Sequence, residues 1–376
     1  MIRFLKIYRI QNIINIVVFI FIIYMPFLAG LIEEDKITSS VERRNLASFP
    51  MFSKDVSYFA QEFNKYYSDH FGFRELLTKL YFKIESKINK STSYDDVTIG
   101  KDGWMFLGGI KPGYTEYGDP IGDAIHINLY SDKELEVFAK NIAQLNRWLK
   151  NKGIEYFFVV APNKHTIYFD KMPDYIVKKN PYSAMDQLLD YLYKNTDVNV
   201  IDLRPVLNKL KNKYQLYYKT DTHWNYMGAN VAQFEIMKRI ENKFPGLLVP
   251  YLLSDHEFKD LNFSEGDLAR FAGLEIVENN PYPIFKHSCK QHNEESDKEA
   301  AIVYTTVCEN QKLRLLVFRD SFFKALQPYF SRKFKTVTYI PGKISYQKLI
   351  KYIDKYQPDI VIEEVIEREL PYVATP

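Results

Sequence analysis

Leu313-Arg314-Leu315-Leu316-Val317-Phe318-Arg319-Asp320-Ser321-Phe322-Phe323-Lys324-Ala325-Leu326 is the stretch that decides the fold. An apolar run of strand length breaks at Arg319-Asp320-Ser321 and resumes at Phe322, so Ser321 falls on a strand-to-helix turn. Such a turn exposes a side chain at the carboxyl edge of a parallel sheet and aims the N–H groups of the next helix at it, where an oxyanion would form. About a hundred residues earlier stands Asp221-Thr222-His223-Trp224. A serine hydroxyl is a poor nucleophile until a base takes its proton, and an imidazole is a better base when a carboxylate holds its other N–H. Asp221, His223 and Ser321 are therefore the candidate catalytic residues. Taken alone, an Asp-x-His pair is also a common hydrogen-bonded structural unit.

Outward from this stretch, strands and helices alternate. Short apolar runs at 154–160, 198–203, 334–340 and 358–362 have strand character. Between them, Ser131 with Glu134 forms a capping-box pattern ahead of Leu135, Phe138, Ile142, Leu145 and Leu149 at helical spacing, closed by Lys152-Gly153. Helices are also expected at 183–193, after Pro205, at 226–240 behind a cap from Thr222 or Asn225, and at 345–356. This alternation predicts an α/β domain with a doubly wound parallel sheet and its site at the strand ends. The loop Ala161-Pro162-Asn163-Lys164-His165 follows the first main strand, which makes Asn163 and Lys164 candidates for an oxyanion donor or a substrate contact. Trp224 and Arg319 join them as neighbours of the two motifs, while His165 reads as a surface residue. Glu363, Glu364, Glu367 and Arg368 read as following the last strand, with a surface ion pair expected there and a contact from Arg368 to the site as the alternative.

At 376 residues the chain accommodates one large domain with an appendage. Fifty basic against forty-seven acidic residues leave +3, so the net charge carries no nucleic-acid footprint. Arg3, Lys6 and Arg9 precede a largely apolar run over 13–32, and Glu33, Glu34 and Asp35 follow it. About 20 such residues span a hydrocarbon core about 30 Å thick, and the basic residues place the short N-terminus in the cytoplasm. An N-terminal transmembrane anchor is the expectation, and a cleaved signal peptide the alternative; both export the remainder. Cys289 and Cys308 suit a disulfide in an oxidising compartment. A zinc site of His287, Cys289, His292 and Cys308 has irregular spacing, and no metal is expected.

The domain organisation expected is an anchor over 1–32, a membrane-proximal connector over 33–125, and a catalytic domain over 126–376 with an insertion at about 245–310. In the connector, Gly100-Lys101-Asp102-Gly103-Trp104 reads as a hairpin turn, with Trp104 and Phe106 packing onto the main domain or lining a sugar groove. In the insertion, Lys259, Asp267 and Arg270 are possible partners for sugar hydroxyls.

Asp-x-His-Trp upstream of Asp-Ser-Phe resembles the alginate O-acetyltransferase (AlgX/AlgJ-like) branch of the SGNH, or GDSL, hydrolase superfamily. The likeness extends through Glu42-Arg43-Arg44-Asn45-Leu46-Ala47-Ser48-Phe49-Pro50, Asp69-His70-Phe71-Gly72-Phe73-Arg74, Gly100-Lys101-Asp102-Gly103-Trp104-Met105-Phe106 and Gly266-Asp267-Leu268-Ala269. The resemblance implies an SGNH hydrolase-like fold in which the Asp-x-His motif precedes the serine, a permuted order for the superfamily. It implies Ser321 as nucleophile, His223 as base and Asp221 as orienter. Arg319 departs from the pattern, since a glycine is usual before the Asp-Ser pair.

By the same resemblance, the acyl group is acetyl, the acceptor is an exopolysaccharide or cell-surface glycan, and a multipass membrane acyltransferase brings acetyl groups across the membrane. This chemistry requires no cofactor. Two alternatives share the sequence features: a carbohydrate acetylesterase of the same fold, and a non-catalytic polysaccharide-binding or assembly scaffold.

Overall fold

The computed structural model describes residues 2–32, 46–52, 56–73, 76–77, 97–108, 118–264, 266–285 and 303–372. These fall into two compact units, residues 1–89 with 270–275, and residues 90–269 with 276–376. In the first unit a helix runs Ile2–Ile32 and contains Gln11–Gly30, the one stretch among the described residues long and apolar enough to cross a membrane. Gly72 packs against its end, where an added Cβ would lie 2.1 Å from the Pro26 carbonyl oxygen, so no side chain fits there. The helix Val56–Asp69 stacks Phe59 on Phe63 and Phe63 on Tyr67. At its end the Asp69 carboxylate and the His70 ring hold the N–H and carbonyl of Ala47. Residues 42–45 and Arg74 of the resembling motifs lie outside the described residues, and the helical pattern over 76–88 is described only at Leu76 and Leu77.

Among its described residues the second unit has ten strands: β1 Val97–Ile99, β2 Met105–Leu107, β3 Glu155–Ala161, β4 Asn199–Asp202, β5 Glu257–Phe263, β6 Glu278–Ile284, β7 Tyr304–Val307, β8 Arg314–Arg319, β9 Thr336–Pro341 and β10 Ile360–Ile366. The main sheet has the order β4-β3-β10-β8-β9-β7. All its pairings are parallel except that of β7 with β9, which is antiparallel. Alternation along the strands feeds two cores. Tyr156, Phe158, Val160, Leu316 and Phe318 pack with Phe138, Ile142, Leu188 and Leu349, on the side of the helices Asp132–Lys150, Ala184–Asn195 and Tyr346–Tyr356. Phe157, Val159, Leu315 and Val317 pack with Leu207, Ala232 and Ile236 from the helices Arg204–Leu210 and Tyr226–Lys243. Strands buried on both faces between helical layers are the doubly wound arrangement. The capping box forms as read, with Ser131 and Glu134 bonding each other's backbone N–H.

Three expectations need correction. The sheet is mainly rather than wholly parallel, because the segment over 245–310 contributes β7 as an antiparallel edge. That segment also forms the β5–β6 hairpin, hidden in the sequence by Pro281 and Pro283; a two-stranded hairpin tolerates proline because both its strands are edges. The last strand does not end at 362 but continues to Ile366 with Glu363 and Glu364 buried inside it. The β1–β2 hairpin, expected in the connector, packs on the sheet unit: Met105 donates to the Lys219 carbonyl at 2.9 Å and Trp104 stacks on Tyr168. Its turn places Asp102 and Gly103 at positive φ, where glycine is unstrained.

Phe318 is fully buried in β8, the strand that delivers Ser321. Phe318→Ala is expected to destabilise the protein by about 3–5 kcal/mol, measured by urea unfolding.

Candidate active site

β3, β10 and β8 lie side by side, and the loops leaving their carboxyl ends carry Asn163, Glu367-Arg368 and Ser321. β8 runs into β9 at one side and β3 into β4 at the other, so the crevice sits where the strand order reverses. The turn after β8 is a short 3-10 segment, Phe322–Ala325, followed by the four-residue helix Gln327–Phe330. The sequence predicts a helix leaving this turn. Phe322 and Phe323 are both buried, and Pro328, which has no N–H, sits in the first turn of the second segment. The Asp320 carboxylate ties the turn down, accepting from the N–H of Phe322 at 2.7 Å and of Ile366 at 2.6 Å. The Ser321 N–H makes no hydrogen bond among the described residues.

His223 bridges the two motifs. Its Nε2 lies 2.7 Å from Ser321 Oγ and its Nδ1 2.7 Å from Asp221 Oδ1. With the proton on Nδ1, the ring donates to Asp221 and accepts from the serine. The ring of Phe322 packs 4.6 Å from the imidazole. Asn225 caps the helix Tyr226–Lys243 through the N–H groups of Met227 and Gly228, which anchors the end of the Asp-x-His turn.

The turn is held from outside by two carboxylates. Asp267 accepts from the Thr222 N–H at 2.7 Å and hydroxyl at 2.6 Å, and its own N–H donates to Asp221 Oδ2 at 2.9 Å. Glu278 accepts from the N–H groups of Lys219 and Thr220 and from the Thr220 hydroxyl. Asp267, one of the possible partners for sugar hydroxyls, braces the turn. Burial alone would raise the Asp221 carboxyl, but the bond and charge of His223, with the N–H groups of Asp267 and His223, outweigh it and hold the group below its ordinary range. Burial and the neighbouring Asp221 charge push Asp267 up. Donor atoms of Asp221, His223 and Asp267 gather within 4.8 Å of one another, but the carboxylates are already engaged by backbone N–H groups.

The other expected site residues take different places. Lys164 is buried, and its ammonium donates to the carbonyls of Tyr218, Lys219 and Asp221 at 3.2, 3.1 and 2.7 Å. Trp224 is buried and donates its indole N–H to the Phe322 carbonyl at 2.9 Å, joining the two motifs rather than presenting a stacking face. Arg319 is buried and donates to the Asp320 carbonyl. Asn163 is buried: its N–H donates to Glu367, its Oδ1 accepts from Arg368, and its Nδ2 has no partner among the described residues. His165 is a core residue, not a surface one; its Nε2 bonds the Leu107 carbonyl and burial pushes its pKa down to about 3. Arg368 is no surface ion pair either, since it contacts Asn163 and lies 5.4 Å over the Phe322 ring. Cys308 is held in a disulfide, while Cys289, His287 and His292 lie outside the described residues.

Residues 97–365 match the family model of the SGNH hydrolase-like domain of the acetyltransferase AlgX. Among characterised relatives, the chain is similar to the probable alginate O-acetylase AlgJ of Pseudomonas syringae pv. tomato, 24% identical over 221 residues, or 58% of this chain and 51% of that protein. It is 27% identical over 179 residues to the probable alginate O-acetylase AlgJ of Pseudomonas aeruginosa, covering 46% of this chain and 40% of that one. The chain thus spans about half the length of the curated relatives it matches. The solved structure of Bacillus cereus PatB1 shares the fold, with a TM-score of 0.51 at 18% identity over 75% of this chain and 97% of that one.

Burial, then the charge of Asp320, pushes the Glu364 carboxyl well above its ordinary range, so the folded chain keeps a proton that the unfolded chain has released. Stability from this group is present below the ordinary glutamate pKa of about 4.3 and is lost as pH rises through the shifted value. In urea unfolding across pH 4–9, Glu364→Gln is expected to lose less stability than wild type toward alkaline pH; parallel slopes would contradict the assignment.

Proposed function

We propose, from the premise that the chain belongs to the family of the SGNH hydrolase-like domain of the acetyltransferase AlgX, that it is an extracytoplasmic serine O-acetyltransferase acting on a polysaccharide. The observation that carries the reading is the continuous relay from Asp221 through His223 to Ser321, with both hydrogen bonds at 2.7 Å. Ser321 Oγ attacks the acetyl carbonyl of the donor while its proton passes to His223 Nε2, and the ionised Asp221 stabilises the imidazolium. Collapse of the tetrahedral intermediate expels the donor's leaving group, which takes that proton and leaves acetyl-Ser321. A sugar hydroxyl then gives its proton to His223 and attacks, and Oγ leaves and recovers the proton. The Ser321 N–H is the first candidate oxyanion donor. Asn163 is the second: Arg368 holds its Oδ1, which leaves Nδ2 as a donor without a partner among the described residues.

In the same reading residues 1–32 anchor the protein, with Gln11–Gly30 across the membrane and the basic N-terminus in the cytoplasm. Residues 33–125 connect the anchor to the catalytic region over 126–376, with the segment at about 245–310 inserted between the two motifs. The permuted order, Asp-x-His before Ser, then follows from a chain that lays down β3 and β4 first and returns through β8, β9 and β10. The acetyl donor is supplied by a multipass membrane acyltransferase, and the acceptor is an alginate-type or other surface polysaccharide. Hydrolysis instead of transfer would follow if water reached the acetyl-serine in place of the sugar.

The test gives the full chain an activated acetyl ester with and without acidic and neutral bacterial oligosaccharides. Wild type is expected to release acetylated glycan, and Ser321→Ala and His223→Ala none above background. Asn163→Ala is expected to lower kcat about 10²–10³-fold. Free acetate without glycan product would support the esterase reading, and equal rates in wild type and Ser321→Ala would overturn both.

A further inference from the structure

Lys164 is a cation buried without a counter-ion: among the described residues no carboxylate lies within ion-pair distance of its ammonium. All three of its N–H donors meet backbone carbonyls, those of Tyr218, Lys219 and Asp221. On its other side lie the rings of Trp104 and Phe106, at 5.9 and 5.4 Å from the nitrogen. Each of the three carbonyls belongs to the turn that carries Asp221 and leads into His223, and the neck of that turn closes through the Tyr218 N–H and the His223 carbonyl at 3.2 Å.

Left to themselves, three carbonyls converging on one point would repel, and the turn would open. Burying an ammonium in a low-dielectric site is also unfavourable unless hydrogen bonds replace its water. Each half of the arrangement is costly alone, and together they fix one turn geometry.

We propose that Lys164 is a positioning residue: its protonated side chain gathers the carbonyls of residues 218, 219 and 221 and so sets His223 at reach of Ser321. This inference rests on the reading of Ser321 as nucleophile. A neutral amine has two N–H donors and a lone pair, so one of the three carbonyls would face a lone pair and the turn would slacken. The groups facing the ammonium are the carboxylates of Asp267, Asp221 and Glu278, which favour its charge, and His165 on its own segment, which is neutral. Burial outweighs the carboxylates and brings the pKa down to about 8.

Two signs therefore oppose each other. A lysine with a lowered folded pKa binds fewer protons than the unfolded chain between pH 8 and its ordinary value of about 10.4, so its contribution to stability rises across that window. The positioning it provides is lost over the same window. A residue that only held the fold together would move stability and activity in one direction.

The experiment measures acetyl-ester turnover by the full chain from pH 6.5 to 9.5, with thermal unfolding in parallel, for wild type, Lys164→Met, Lys164→Arg and Ser321→Ala. Wild type is expected to lose kcat about tenfold above pH 8 while KM changes less than about twofold and its unfolding midpoint rises relative to that of Lys164→Arg. A misplacement of about 1 Å lowers rates on the order of a hundredfold, so Lys164→Met, folded, is expected to be about a hundredfold down in kcat at pH 7 with no inflection near pH 8. Lys164→Arg, charged throughout, is expected to be reduced at pH 7 and flat to pH 9.5. A fully active Lys164→Met, or an inflection near pH 8 retained in either variant, would overturn the proposal. Should the methionine variant fail to fold, the arginine variant and the wild-type pair of pH profiles decide. Activity surviving in Ser321→Ala would instead overturn the catalytic reading on which the proposal rests.

Discussion

A single turn, from Tyr218 to His223, is pulled from both sides by charge, a buried ammonium on one side and two half-buried carboxylates on the other. Its carbonyls point at the Lys164 ammonium, and its N–H groups point at the carboxylates of Glu278 and Asp267. A short irregular segment has no helix or sheet ladder to satisfy its peptide groups, so each must find a partner elsewhere or pay a desolvation penalty. Here the partners are ions, whose hydrogen bonds are stronger than those between neutral groups. The consequence reaches the chemistry: Asp221 receives the His223 N–H, the His223 ring and the Asp267 N–H, and stays ionised despite its burial.

The serine turn is stabilised differently. Asp320 reaches across to the N–H of Ile366 at the end of β10, and Glu364 within β10 accepts from the Asp320 N–H. Glu367 and Arg368, just beyond β10, then hold Asn163 on the loop after β3. The middle strand of the three thus fixes the loops on either side of it through buried polar side chains. Holding Ser321 Oγ within hydrogen-bonding distance of His223 Nε2 demands this kind of support, since loops by themselves are the least rigid parts of a fold.

Much of this architecture is written in local pattern. The strand runs before Asn163 and Ser321, the Ser131–Glu134 capping box and the Asn225 cap are short-range features whose physics acts within a few residues, and the structure contains each of them. Lys164 and His165 are harder to read, because a Lys-His pair on a loop looks solvated until the β1–β2 hairpin is laid over it. The glutamates of β10 misled for the same reason: an acidic pair normally marks the exit from a sheet, and Tyr156, which donates to Glu363 at 2.6 Å, the Ile344 N–H and the turn at Asp320 make their burial tolerable. Asp267 meets Thr222 from forty-five positions along the chain, a pairing no spacing rule anticipates. The Asp-x-His and Ser turns were legible as residues that meet; the charges that hold them in place are products of the tertiary fold.

The most direct measurement of whether this assembled turn activates a nucleophile is labelling by a sulfonyl fluoride, followed by peptide mapping, for wild type and His223→Ala across pH 5–8. The account predicts one adduct, on Ser321, formed at a rate that rises with a single deprotonation and falls about 10²-fold or more without the imidazole. Labelling spread over other residues, or a Ser321 rate unchanged by loss of His223, would contradict it.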